Sequence, residues 1–529
     1  MKPNHQQQLF DAMKQPEFYP HSAASIESRE THISMVFLTG RVAYKIKKSV
    51  NLEFLDFTTL EKRRHFCRRE VVLNRRLSED IYLSVVKIYW DGERYALKGP
   101  GSVVEYAVKM RQLSEKQSMT AMLAAHTFTF ENTERLAQHL ADFYRNAKTG
   151  GAINALGSWR TVWQNCEENF KQIKEFPADF FDSQMMSIVR GATRAFLKRK
   201  RRLFERRVKD GKIRDCHGDL KTDHVYDTGE IQIIDCIEFN QRFRYADIAA
   251  DIAFLAMDLD ALGHAALSRA FLKEIVRQTA DTNLYGLIDF YKCYRAIVRA
   301  KTTAFRMKEI PADTPEKKAL RKQIDRFMLL AYEYARCFTR PTLWIIHGLP
   351  ASGKSTVAKG LSAALDIAVF NSDVVRKELF GIDMLTPRVV SYGTDIYSKE
   401  ATALTYGQLL LKAQEEIMNG RSVILDATFG TRHQRKEASR LAEDEDANIH
   451  FIECVAPERI LRRRLSARKT GSSVSDARLA HFEQIKKRYE RVDRLNEASS
   501  FRINTNQPVS ESLGRILSRA HSQRFGRKG

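Results

Sequence analysis

His347–Thr356 reads HGLPASGKST, and the fold of the C-terminal part of the chain follows from that stretch. Gly348, Gly353, Lys354 and Ser355 complete the pattern G-x-x-x-x-G-K-[ST]. Thr342–Ile346 before it is β-branched and aromatic, as a buried strand is, and Val357–Leu365 after it has a helical pattern. A strand, a tight loop and a helix N-terminus make an anion cradle, because the unpaired N–H groups and the dipole of the helix both favour negative charge. The loop residues Gly348, Leu349, Pro350, Ala351, Ser352, Gly353, Lys354, Ser355 and Thr356 are therefore expected to hold nucleotide phosphates. The Lys354 amine is expected on the β/γ-phosphates of ATP and the Ser355 hydroxyl on Mg2+.

Around this motif strand and helix alternate. Strands are predicted at Ile367–Asn371, Ser422–Leu425, Ile449–Cys454 and Arg502–Asn504, and helices at Asp373–Leu379 and Asp395–Met418. Such alternation implies a parallel, doubly wound sheet with ligands at the strand C-termini. Asp373 follows the second strand and is placed to orient or deprotonate an acceptor hydroxyl, with Arg376 one helical step on to hold substrate or the moving phosphoryl group. Asp426 ends the apolar run Val423–Leu425, the position from which a carboxylate holds Mg2+.

At 529 residues the chain exceeds one core, and 43% hydrophobic with 29% charged residues is a globular composition. The formal charge of +22 calls for an acidic partner, such as ATP, nucleic acid or an anionic surface, without choosing among them. Seven dispersed cysteines without a C-x-x-C pair argue against a disulfide framework or zinc site and suit a reducing compartment. No apolar run has the length of a spanning helix and no apolar signal core opens the chain, so a cytoplasmic protein without a transmembrane segment is expected. Oligomeric state is not legible.

The N-terminal part has a different pattern. A leader at residues 1–30 precedes a hairpin, His32–Leu38 and Arg41–Lys47, with lysines on one face. A helix at Leu60–Leu77 follows, then strands at Val85–Tyr89, Arg94–Lys98 and Val103–Met110, then mostly helix from Ser114 to Arg214. In Arg214–Asp235, RDCHGDLKTDHVYDTGEIQIID, His217-Gly218-Asp219 is followed by two short strands and then Asp235. Phosphoryl transfer of the kinase kind needs an aspartate to accept the hydroxyl proton, a metal-holding side chain shortly after it, and a second aspartate beyond a hairpin for Mg2+. Asp219 is the candidate base, Asp235 a candidate metal ligand, and the middle slot falls on His224.

The stretches 54–77, EYAVKMRQL, HGDLKTDHVY, DCIEFN and ADIAADIAFLAMDLD resemble the bacterial bifunctional aminoglycoside phosphotransferase/ATP-binding proteins. In that family an aminoglycoside phosphotransferase/choline-kinase-like domain is fused to a P-loop, AAA-type domain. The resemblance implies an α+β protein-kinase-like, two-lobed domain at 31–338 and an α/β P-loop NTPase domain with a parallel doubly wound sheet at 341–529. It also implies that Lys45 contacts the α/β-phosphates, that Glu70 pairs with Lys45, and that the segment from Met110 to Leu113 forms the adenine hinge; Lys47 is a rival to Lys45. Relatives have asparagine where this chain has His224, so the site takes a softer ion such as Mn2+, uses one metal, substitutes Asp223, or binds nucleotide without turnover. Glu238–Asn240 and Asp247–Asp251 are expected to buttress the catalytic loop, and helices at Leu284–Arg306 and Glu316–Arg336 to close the lobe.

The C-terminal half also resembles small P-loop kinases of the zeta-toxin, polynucleotide-kinase and gluconate-kinase kind. That likeness implies lid arginines at Arg464 and Arg468, with Arg463 as a rival and Gly471–Ser473 as a lid hinge. The expected activity is ATP- and Mg2+-dependent transfer of the γ-phosphoryl group to a hydroxyl of an unidentified acceptor, a small molecule or a nucleic acid. The alternatives are a regulatory ATPase with a degenerate kinase-like sensor domain and a kinase of nucleic-acid ends.

Overall fold

The computed structural model describes residues 3–525 apart from 53–54, 178, 312, 384–385, 387–392, 468–478, 491 and 493–499. Contacts gather into two compact units, Met1–Asn165 with Phe204–Gln278, and Cys166–Leu203 with Thr279–Gly529.

The first unit begins with α1 (Pro3–Met13) and an antiparallel sheet of β1 (Glu27–Glu30), β2 (Ser34–Leu38), β3 (Val42–Lys47), β4 (Tyr82–Trp90), β5 (Tyr95–Ala96) and β6 (Ser102–Arg111). Their order across the sheet is β1-β2-β3-β6-β4-β5. Both faces are covered, which explains why β3 is mostly buried along its length. Tyr44 and Ile46 pack with Leu9, Phe10 and Met13 of α1, whereas Ala43 packs with Cys67 and Val71 of α2 (Leu60–Asn74). Since side chains alternate along a strand, Lys45 and Lys47 share the α2 face with Ala43. They are not on a solvated face.

Residues 3–30, expected as a leader, supply α1 and the edge strand β1 to this sheet. The physical reason is the apolar second face of the sheet, which would face water without Leu9, Phe10 and Met13. Beyond the helices of this unit, β7 (Val225–Asp227) and β8 (Ile231–Ile233) form the short hairpin between the two candidate aspartates.

The second unit holds α3 (Ser183–Arg199), α4 (Ile288–Glu309) and α5 (Pro315–Thr339) as well as the P-loop sheet. The two long helices expected to close the N-terminal lobe fall in the same unit as the P-loop. His521 bonds Asp289 at 3.1 Å with both side chains buried, and Lys200 donates to the carbonyls of Leu365 and Asp366 at 2.8 and 2.9 Å.

The sheet comprises β9 (Thr342–His347), β10 (Ala368–Asn371), β11 (Val423–Asp426), β12 (Asn448–Val455) and β13 (Ser500–Asn504), all neighbours parallel, in the order β10-β11-β9-β12-β13. The loop helix is α6 (Lys354–Leu365), followed by α7 (Ser372–Leu379), α8 (Lys399–Met418), α9 (Glu458–Ser466) and α10 (Val509–Phe525). Leu343, Ile345, Val423 and Leu425 pack against Leu409, Ala413 and Ile417 of α8. On the opposite face Trp344 meets His450 with tilted rings 4.8 Å apart, and Arg519 of α10 lies over Phe501. Helices on both faces of a parallel sheet give the doubly wound α/β P-loop architecture, and the first unit is a kinase-like α+β arrangement.

Candidate functional site

In the P-loop unit, register brings the candidate residues to one end of the sheet. Ile346, Asp426 and Asn371 stand opposite one another at the C-terminal ends of β9, β11 and β10. The loop needs glycine at its first position: Gly348 has φ +134°, and a Cβ there would lie 2.5 Å from the carbonyl oxygen of Cys454. Lys354 opens α6, and its Nζ donates to the carbonyl of Leu349 at 3.0 Å.

A cavity of about 510 Å³ adjoins the loop, lined by Lys354, Ser355 and Thr356 on one side and Arg464, Thr505 and Gln507 on the other. Arg464 clasps the loop to that far wall, donating to the carbonyls of Ala351 at 3.2 Å and Thr505 at 3.1 Å. Arg463, its rival, points outward and is exposed. Arg468 and Gly471–Ser473 lie outside the described residues. Thr505 donates its hydroxyl to Ser352 O at 2.6 Å and was not singled out from sequence, although it directly follows a strand, where the fold puts ligands.

Asp426 is almost wholly buried. Its Oδ2 accepts from the Asn371 amide at 2.7 Å, while Oδ1 has no hydrogen-bond partner. A buried, unpartnered carboxylate oxygen is costly unless something cationic meets it, so Asp426 fits a divalent ion. The other side of Asn371 caps α7, its Oδ1 accepting from Asp373 N at 2.9 Å and Val374 N at 3.2 Å. One amide therefore fixes the candidate metal ligand and the helix that carries Asp373. Arg376 donates to Asp373 at 3.1 Å and lies 4.6 Å over the ring of Tyr397, buried. Asn371 and Tyr397 both escaped the sequence reading: a polar residue ending a strand was a usable signal for the first, whereas nothing in the sequence pointed to the second.

In the kinase-like unit, Glu70 is fully buried and takes both lysines of β3, Lys45 at 2.9 Å and Lys47 at 2.7 Å. Lys45 also pairs with Asp235, and Lys47 with Glu238. Burial opposes the charge on Lys45, but Asp235 and Glu70 outweigh it and raise its pKa well above the usual value. Met110 and Leu113 sit in the apolar cluster of Ala43, Val71, Tyr82 and Val108.

The loop around Asp219 is held from behind. Asp251 accepts from His217 N and Gly218 N at 2.8 Å each, and His217 Nε2 donates to Ile234 O at 2.9 Å. Asp247 instead anchors the buried Arg207. Gly218, at φ +90°, is 3.0 Å from Phe243 O at the position a Cβ would take. Asp219 is met by Lys221 at 3.1 Å, and Asp235 sits at φ +65° with its N–H donated to the hydroxyl of Tyr82 at 3.1 Å.

Burial opposes ionisation of both aspartates, yet Lys221 and His224 hold Asp219, and Lys45 and His224 hold Asp235, below the carboxylate range. His224 Nδ1 lies 2.9 Å from the carbonyl oxygen of Asp219, and its Nε2 faces Asp235 Oδ2 at 3.5 Å. Burial, helped by Lys221, pushes the imidazole down to about 4, so it is neutral at neutral pH. Asp235 and His224 are thus the donors a metal would meet here. Asp223 is bonded by the hydroxyl of Thr120 at 2.8 Å.

Rv2004c, an uncharacterized protein of Mycobacterium tuberculosis, is 32% identical over 457 residues, which cover 86% of this chain and 89% of that one. The chain belongs to its family. Within it, residues 343–492 match the AAA domain family. The solved choline/ethanolamine kinase family protein of Mesorhizobium loti covers 62% of the chain and is itself covered over 99%, at 11% identity and a TM-score of 0.34. Chaetomium thermophilum Kti12, solved in complex with ADP-AlF3, covers 35% of the chain and 100% of its own length, at 16% identity and a TM-score of 0.28. Among the described residues no helix is long and apolar enough to cross a membrane.

Proposed function

We propose that the protein is an ATP-dependent phosphotransferase of the bifunctional aminoglycoside phosphotransferase/ATP-binding kind, with a nucleotide site in each unit. The observation that carries the reading is the Asn371 bridge, which ties Asp426 to the helix bearing the Asp373–Arg376 pair. ATP hydrolysis alone needs the P-loop and Asp426. An acceptor hydroxyl needs a carboxylate and a cation beside them, and Asp373 and Arg376 supply both.

In this reading the loop amides and Lys354 bind the phosphates, Asp373 accepts the proton of the acceptor hydroxyl, and Arg376 and Arg464 neutralise charge on the moving phosphoryl group. Ser355 and Asp426 would hold Mg2+, which when bound neutralises charge on the β- and γ-phosphates. In the kinase-like unit Asp219 takes the corresponding proton, Lys45 and Glu70 place the phosphates, and the Met110 to Leu113 segment lines the adenine side. The acceptor is set by pocket shape and not by the fold, so an aminoglycoside is one candidate among small hydroxylated molecules.

His224 favours a second reading, a regulatory ATPase whose kinase-like unit senses nucleotide without transfer. Tracing the γ-phosphate of ATP in the wild type, Lys354→Ala and Asp219→Ala, with pooled hydroxylated metabolites, aminoglycosides and oligonucleotides, separates the two. Label on an acceptor, lost in one variant, assigns transfer to that unit. Label only on free phosphate, lost with Lys354→Ala and unchanged with Asp219→Ala, refutes the transferase in favour of the regulatory ATPase.

A further inference from the structure

The arrangement around His224 decides which atom of the ring is available. A carbonyl oxygen only accepts, so the 2.9 Å contact between Nδ1 and Asp219 O requires the proton on Nδ1. In the neutral ring Nε2 then carries a lone pair. It faces Asp235 Oδ2 at 3.5 Å, which is longer than an N–H···O hydrogen bond, so the two atoms are not joined by a proton. They are two electron-pair donors 3.5 Å apart.

The surroundings fix both donors. The other oxygen of Asp235 is engaged by Lys45, its backbone N–H by Tyr82, and the ring of His224 is buried between the two aspartate segments. Asp219 turns its Oδ2 to the Lys221 amine at 3.1 Å. Among the described residues no cluster of three His, Cys, Asp or Glu side chains forms a metal-holding group. Two protein donors are too few to hold an ion alone, so the remaining ligands must arrive with the nucleotide as phosphate oxygens and water.

We propose that the kinase-like unit binds ATP together with a divalent ion that accepts imidazole nitrogen, Mn2+ foremost, ligated by His224 Nε2 and Asp235 Oδ2, in preference to Mg2+. The inference rests on the reading of this unit as a nucleotide site and specifies its metal. Mg2+ is a hard ion that keeps oxygen ligands, whereas affinity for a nitrogen donor rises from Mn2+ through Fe2+ and Co2+; of these Mn2+ is the one that also suits the carboxylate, phosphate and water oxygens of this site. The two units then differ in metal demand, because the P-loop site offers only oxygen donors, Ser355 and Asp426.

The test uses the full chain carrying Lys354→Ala, which weakens the P-loop site, with Mn2+ and β,γ-methylene-ATP, a nucleotide without a bridging nitrogen. Pulsed electron paramagnetic resonance of the bound Mn2+ is expected to show the hyperfine coupling of a directly bound 14N. That signal should convert to the 15N pattern when the protein is grown on 15N-histidine, a control that needs no further substitution. Adding His224→Asn should remove the nitrogen coupling, retain nucleotide binding, and shift the Mn2+-over-Mg2+ preference at least 10-fold toward Mg2+. Bound Mn2+ and nucleotide without nitrogen coupling, or a coupling that ignores 15N-histidine or survives His224→Asn, overturns the metal assignment and leaves the nucleotide site standing. Absence of nucleotide binding with either ion in Lys354→Ala overturns the nucleotide reading of the unit itself.

Discussion

Lys45 and Lys47 lie two residues apart on one face of β3 and share Glu70, yet the structure gives them opposite expected responses to removal. Lys47 is 1% exposed and is enclosed by Glu70 and Glu238, both buried. Lys47→Met takes from Glu238 the ammonium it is paired with, and a buried charge stripped of its partner costs about 3–5 kcal/mol. For a unit of this size that lowers the melting temperature by roughly 2–4 °C per kcal/mol, or on the order of 10 °C. Lys45→Met is milder, because Glu70 keeps Lys47 and the Asp235 side chain is 42% exposed, so water can solvate it. Its stability cost should stay within about 1–2 kcal/mol. Its effect on ligand should be large: a charge-assisted contact to phosphate is worth about 1.5–3 kcal/mol, which is roughly 10- to 100-fold in affinity. The assay is calorimetric melting together with ATP titration in the Lys354→Ala background, so that only the kinase-like site reports. If Lys45→Met melts as low as Lys47→Met, or if Lys47→Met loses nucleotide affinity while Lys45→Met keeps it, the assignment of the two lysines is wrong.

Gly348→Ala places a methyl group 2.5 Å from Cys454 O in a backbone region alanine disfavours, so P-loop nucleotide binding should be lost; unaltered affinity in a titration would contradict the loop geometry. Asn371→Ala should lower transfer turnover at least 10-fold with a smaller change in ATP affinity, because it frees Asp426 Oδ2 and uncaps α7; equal losses in both quantities would assign Asn371 to nucleotide binding alone. Burial, together with Arg199 and against Asp366, brings the Lys200 amine down to about 8 from 10.5, so below pH 8 the folded chain carries the full cost of the buried charge. Between pH 8 and about 10.5 the folded state sheds that proton before the unfolded state does, and stability should rise by ~3 kcal/mol relative to a Lys200→Met variant. A wild-type-minus-variant difference that is flat with pH in thermal melts would show that Lys200 is not buried as described.

The P-loop half was legible because its signals are local. The glycine pattern, the strand before it and the aspartates after later strands each occupy a few consecutive residues, and the parallel order of the sheet follows from alternation. What the sequence could not show was which helices gather with which sheet. Helices α4 and α5 are amphipathic and would suit either neighbour. Asp289 with His521, and Lys200 with the end of α6, are contacts across long sequence separations that no periodicity announces. The same limit hid the role of residues 3–30: a short helix with Leu9, Phe10 and Met13 reads as a loose leader until the uncovered face of the sheet is known.

The candidate sites follow the same division. Asp219, Asp235, Lys354 and Asp426 stand in motifs whose spacing marks them as candidates, whereas Asn371 and Thr505 offered only their places at strand ends, and Tyr82 and Tyr397 meet distant partners and carry no pattern of their own. His224 is the instructive case. As a letter it is a departure from asparagine and argues for loss of function. In space its Nδ1–H makes the bond to the Asp219 carbonyl that holds the loop, and its Nε2 stays directed at Asp235. Replacing an amide oxygen by an imidazole nitrogen at a fixed point changes the ion the point prefers before it removes the point as a ligand. The substitution therefore argues for a change of metal more than for a dead site, and the nitrogen coupling of bound Mn2+ is the measurement on which that argument stands or falls.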